Sequence, residues 1–157
     1  MTSDGMVRWV LAALHLLALG IGLGAVWARS RALRSSLDTA GLQRVFSADT
    51  WWGVAALIWI SSGLVRAFGG FENGSAYYLH NHVFWTKMGL LVVILMLEVR
   101  PMLTLIRWRI QRQRGQQPDT GVAPRLAAIS VLQAVLVVLM VLAATAMARG
   151  YGVPSAS

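Results

Sequence analysis

The sequence predicts an all-α fold, a polytopic four-helix bundle in a membrane, and three observations carry that prediction. Charged residues make up only 13% of the 157 positions, while hydrophobic ones make up 57%; an ordinary soluble domain carries about 25% charge. Four apolar stretches, at about 6–28, 50–68, 78–106 and 125–148, each suit a hydrocarbon core about 30 Å thick, which takes about 20 helical residues. The basic residues fall mainly between these stretches rather than inside them. Little chain is left over, so residues 1–157 are read as a single integral membrane domain whose first partner is the lipid bilayer.

The net charge of +8 comes from thirteen arginines and one lysine, Lys87, against six carboxylates. A nucleic-acid partner would require those arginines on one soluble face; their spacing makes them a topology signal instead. Loops 29–49 and 107–124 are the expected cytoplasmic loops. Counting out to the span ends, that side holds ten arginines, whereas the other holds only Arg8, Arg66 and Arg149. By the positive-inside rule both termini are expected to lie outside. With no cysteine in the chain, disulfides and thiolate metal sites are excluded, and His, Met and carboxylate are the available ligands.

The first stretch exceeds the 7–15 apolar residues usual in a signal peptide and is followed by its basic residues, so it is expected to be retained. Its residues Leu11, His15, Ala18, Gly22 and Ala25 share one face, and that small-residue stripe turns His15 inward. Gly20 and Gly24 form a second small pair. Such faces also suit a homo-oligomer. In the first basic loop, Leu42, Val45 and Phe46 form an apolar side of a short interfacial helix. Asp49 is the expected N-cap of the second span, Trp51 and Trp52 suit the interface belt, and Gly53, Ala56 and Gly63 offer a close-approach face. FGGFENGS is a glycine-rich external turn. In the third span His80, Phe84, Lys87, Leu91, Ile94 and Glu98 lie within about 80° of one another at 100° per residue. Pro101 is expected to kink or end that helix. The fourth span has no charge; Ser130 and Gln133 are its main polar groups, and its role is read as structural.

Ionisable groups in a bilayer cost about 2.5–3.5 kcal/mol at depth on insertion scales, and they usually face the bundle interior. His15 is nine residues after Met6, and Lys87 nine after Tyr78, which sets the two at similar depth. His15 has two readings, a histidine bonded to a neighbouring helix or a ligand. Lys87 also has two: a stem reaching to the interface, or an amine inside the bundle beside an anion. Glu98 is eleven residues on, about 16 Å along a helix, too far to be that anion. His80 and His82 diverge on a helix and bind an external metal only if extended. Asp49, Glu98, Arg66 and Arg100 are read as interfacial ion pairs or loop-orienting groups. No phosphate-binding loop, dinucleotide fingerprint, HExxH or nucleophile elbow is present, and whether the chain is an enzyme is left open.

The segments LHLLALGIGLGAVWARSRALR, RVFSADTWWGVAALIWISSGLVRAF and YYLHNHVFWTKMGLLVVILMLEVRP resemble a family of predicted four-helix bacterial membrane proteins of unknown function. The marks are His15, Ala48-Asp49, Gly63 with Arg66, Tyr78, Asn81 and Phe84-Trp85 with Lys87. More distantly, His15 and Lys87 resemble the histidine and lysine of the small haem-containing bacterial protoporphyrinogen oxidase and of copper-resistance D membrane proteins. That likeness implies haem b, with His15 as a possible iron ligand and Lys87 pairing a propionate. The expected function is therefore haem or porphyrin binding with a redox role. The rivals are metal or small-solute transport along the His80, Lys87, Glu98 stripe, and a non-catalytic assembly or scaffold protein.

Overall fold

The computed structural model describes residues 2–70, 76 and 79–151. Four helices account for nearly all of them: α1 Ser3–Leu33, α2 Thr39–Phe68, α3 His82–Gln113 and α4 Ala123–Ala148. All four are long and apolar enough to cross a membrane. Three begin at side-chain caps. Thr2 Oγ1 accepts from the Gly5 amide at 3.3 Å, Asp38 Oδ1 from Gly41 at 2.7 Å, and Asn81 Oδ1 from Val83 and Phe84 at 2.9 and 3.3 Å. Each satisfies amides that have no partner within the helix. At the start of α4, Pro124 occupies a first-turn position where an amide is dispensable.

The helices outrun the apolar stretches, which corrects four expectations. The segment 29–49 is not a loop: α1 continues to Leu33 and α2 begins at Thr39, leaving a five-residue corner. The cap of α2 is therefore Asp38, and Asp49 lies ten residues inside the helix. A polar composition does not end a helix when propensity and a cap sustain it. Pro101 does not end α3 but is buried within it, and the second basic loop shrinks to 114–122. The third span, expected from Tyr78, gives its helix from His82; Tyr77, Tyr78 and residues 71–75 of the glycine-rich turn lie outside the described residues.

Inward positions follow alternating spacings of three and four on every helix, the pattern that lets near-antiparallel helices interlock. On α1 these are His15, Ala18, Gly22, Ala25 and Arg29; on α2 Val45, Ala48, Trp52, Ala55, Trp59 and Ser62; on α3 Phe84, Lys87, Leu91, Ile94, Glu98 and Pro101. Gly22 takes the edge of Trp52 and the Ala55 methyl, 3.4 Å from where a Cβ would stand. By contrast, Gly20, Gly24 and Gly53 face open space, so the close-approach residue of α2 is Ala55 rather than Gly53. Backbones approach closely between α1 and α2, α1 and α4, and α3 and α4; among the described residues α2 and α3 stand further apart. One apolar layer, with Leu42, Val45, Leu105, Trp108 and Leu126, fills the end nearest the two short connections. A second, with Val26, Trp52, Ile94 and Val137, fills the middle.

Candidate functional site

Two polar centres interrupt this apolar interior. The lower one forms around Arg29, which is fully buried and which continues the inward stripe of α1. Its Nε donates to Ser130 Oγ at 3.0 Å. Nη1 donates to Asp49 Oδ1 at 2.8 Å and Glu98 Oε1 at 2.9 Å. Nη2 donates to Glu98 Oε2 at 3.0 Å and Gln133 Oε1 at 2.7 Å. A guanidinium has five N–H donors in a planar fork, so all are satisfied. The pairing with Glu98 is bidentate, the geometry in which arginine binds carboxylate most strongly. The guanidinium also lies 5.9 Å from the centroid of Trp52. Gln133 Nε2 returns two bonds to α3, at 2.8 Å to Glu98 Oε2 and 3.2 Å to the Ile94 carbonyl. The other Asp49 oxygen accepts from Arg109 Nη2 at 3.0 Å.

Asp49 and Glu98 are thus paired, as ion pairs were expected, but through Arg29 inside the bundle rather than at the interface. Asp49 of α2, Glu98 of α3 and both Ser130 and Gln133 of α4 meet at the single guanidinium that α1 supplies. Two arginines and two carboxylates leave the cluster neutral, and its saturated bonding suits a structural lock. Sequence reasoning placed Arg29 in a basic loop and missed this role. The signal that finds it is its place on the His15, Ala18, Gly22, Ala25 stripe.

The upper centre is a cavity of about 460 Å³ reached by all four helices. His15, Arg66 and Lys87 line it together with Trp59, Phe84 and Met140. The two residues expected at equal depth therefore share one space, and Arg66 joins them. Ser62 Oγ lies 2.9 Å from His15 Nδ1 and 3.1 Å from the Trp59 carbonyl, and the direction of its hydrogen bond with the ring depends on the tautomer. The ring stacks on Trp59 with centroids 5.6 Å apart. Gly63 leaves room for it, since a Cβ there would stand 3.1 Å from His15 Cε1. Among the described residues the Trp59 indole N–H is buried without an acceptor. Ser62 and Trp59 were not singled out from sequence, although they lie three apart on the inward face of α2.

His80 and His82 do not join this cavity. His80 is exposed with Nδ1 at 2.8 Å from the Ala76 carbonyl, and His82 is the exposed first residue of α3. Arg100 is exposed as well. The expected stripe of His80, Lys87 and Glu98 is divided among a helix start, the cavity and the Arg29 cluster. Among the described residues no three His, Asp or Glu side chains gather as a metal site.

A family model described as Predicted membrane protein (DUF2214) matches residues 7–152. The chain belongs to this family. No curated protein and no solved structure matches it. The DUF2214 description agrees with four helices long and apolar enough to cross a membrane and attaches no chemistry to them.

Proposed function

We propose that this four-pass protein resides in a bacterial inner membrane with both termini outside and binds a flat, anionic, amphipathic ligand in the upper cavity, a porphyrin and specifically haem b. The observation that carries this is the meeting of His15, its Nδ1 held by Ser62, with Lys87 and Arg66 around one largely apolar cavity. A hydrogen bond to one imidazole nitrogen fixes the tautomer and orients the other nitrogen for a metal. The residues suit the group. His15 Nε2 would take the iron, and Lys87 and Arg66 would face the propionates. Met88, Met140 and Met147 line the same space and offer thioethers, the partner of histidine in some haem proteins. A cavity of this volume falls in the range of small-molecule sites, about 300–1,000 Å³. Bound there, haem would supply one-electron redox chemistry; the protein's share is to hold, orient and shield it from water.

The test is a visible spectrum of the protein purified from haem-replete cells. A Soret band is expected, abolished by His15→Ala and with haem affinity lowered about tenfold by Lys87→Ala, a loss of about 1.4 kcal/mol. A protein that stays colourless after hemin is added, or a band indifferent to His15→Ala, overturns the reading.

A further inference from the structure

Outside the bundle, α1 and α2 enclose a second space, an open groove of about 800 Å³ near their shared corner. Its polarity changes along its length. Arg31 and Arg44 stand at the end nearest the corner, with Ser47 beside them, while Gly24 and Ala28 form its floor. Gly24 is seven residues before Arg31, about 10 Å deeper along α1. Trp51, 58% exposed, flanks the groove and is a residue type that settles at the headgroup level. No carboxylate lines it.

Other arginines at this end of the bundle are engaged: Arg29 and Arg109 are tied to carboxylates, and Arg112 donates to Thr39 Oγ1 at 3.4 Å. Arg31 and Arg44 are exposed, and among the described residues neither side chain makes a hydrogen bond or an ion pair. Arg34, Arg107 and Arg114 share that freedom, but only Arg31 and Arg44 line the groove. Two unpaired cations therefore stand above a shallow apolar channel that runs toward the membrane interior. The channel floor stays open because Gly24 meets nothing within 4 Å of a built Cβ.

We propose that this groove binds one anionic phospholipid, its phosphate between Arg31 and Arg44 and an acyl chain over Gly24 and Ala28. The occupant is chosen by charge complementarity at one end and apolar length at the other. A free anion would use only the first and a second copy of the chain only the second. Basic clefts between membrane helices recognise acidic headgroups in this way. The site is separate from the upper cavity and does not depend on what that cavity holds.

The full chain in mild detergent, supplied with phosphatidylglycerol or phosphatidylcholine of matched acyl chains, is measured by native mass spectrometry for retained lipid. Retention of phosphatidylglycerol about tenfold above phosphatidylcholine is expected. Arg31→Gln with Arg44→Gln should remove that preference, and so should Gly24→Leu, which keeps both charges and fills the floor. Arg100→Gln with Arg125→Gln, a change of equal charge outside the groove, should leave it intact. Equal loss in that control pair means general charge attraction and overturns the proposal. So does displacement of the lipid by millimolar inorganic phosphate, which would mark an anion site without a chain. Loss of dimer in Gly24→Leu with lipid retention unchanged would assign the groove to a second copy and overturn it as well.

Discussion

Removing the Arg29 side chain would leave Asp49 and Glu98 facing each other with side-chain exposures of only 12% and 19%. Breaking a buried ion pair by deleting one member costs about 3–5 kcal/mol; here Asp49 would keep Arg109 and Glu98 would keep Gln133 Nε2, but the shared guanidinium that neutralises both from inside the bundle would be gone. Arg29→Ala is therefore expected to lower the Tm of the purified protein in detergent sharply. Arg29→Lys should recover only part of that loss, since an ammonium has three donors and no planar fork. Equal melting of wild type and Arg29→Ala would remove the lock from the fold. Single residues were unevenly legible in the sequence. Lys87 stood out as the sole lysine in an apolar run, and His15 as a histidine on a small-residue stripe. Arg29 did not, because an arginine just after an apolar stretch has the same local pattern whether it faces cytoplasm or core. Only the three other helices decide between those settings.

At the scale of elements, the corner between α1 and α2 depends on Gly41. A Cβ at that position would collide with the Ser36 carbonyl, and a backbone atom cannot step aside as a side chain can. Gly41→Ala should destabilise by about 1–3 kcal/mol, the usual cost of overpacking. Gly53→Ala, which meets nothing within 4 Å, should be neutral or stabilising by up to about 1 kcal/mol, since alanine favours helix over glycine. Thermal melts of the two variants side by side check the contrast. The number and order of helices were legible from hydropathy, and the inward face of α3 from the periodicity of Phe84, Lys87, Leu91 and Ile94. Helix ends were not, because α2 gains its first eleven residues, 39–49, from an Asp38 cap and from packing of Leu42 and Val45. Neither contributes to an apolar run. Pro101 misled for a related reason: it is itself buried, on the face that carries buried Ile94 and Leu105, and that packing holds α3 together where the lost amide alone would argue for a break.

Across the whole molecule the two polar centres sit in series. Arg29 is fourteen residues beyond His15 on α1, about 21 Å along the axis, with the middle apolar layer between them. The arginine-rich end is expected to face the cytoplasm. The absence of native cysteine makes the check direct: Ser35→Cys and Gln116→Cys should resist an impermeant thiol reagent in intact spheroplasts, and Ser3→Cys should react. The reverse pattern would invert the topology. The wider spacing of α2 and α3 bears on how the upper cavity fills. Leu64 and Phe68 of α2 belong to its lining and are also 49% and 48% exposed on the outer surface. A greasy guest would therefore arrive sideways out of the acyl phase, never passing through water. Its uptake would then track how much of it is dissolved in the surrounding leaflet, and the fluidity of that leaflet, rather than its aqueous concentration.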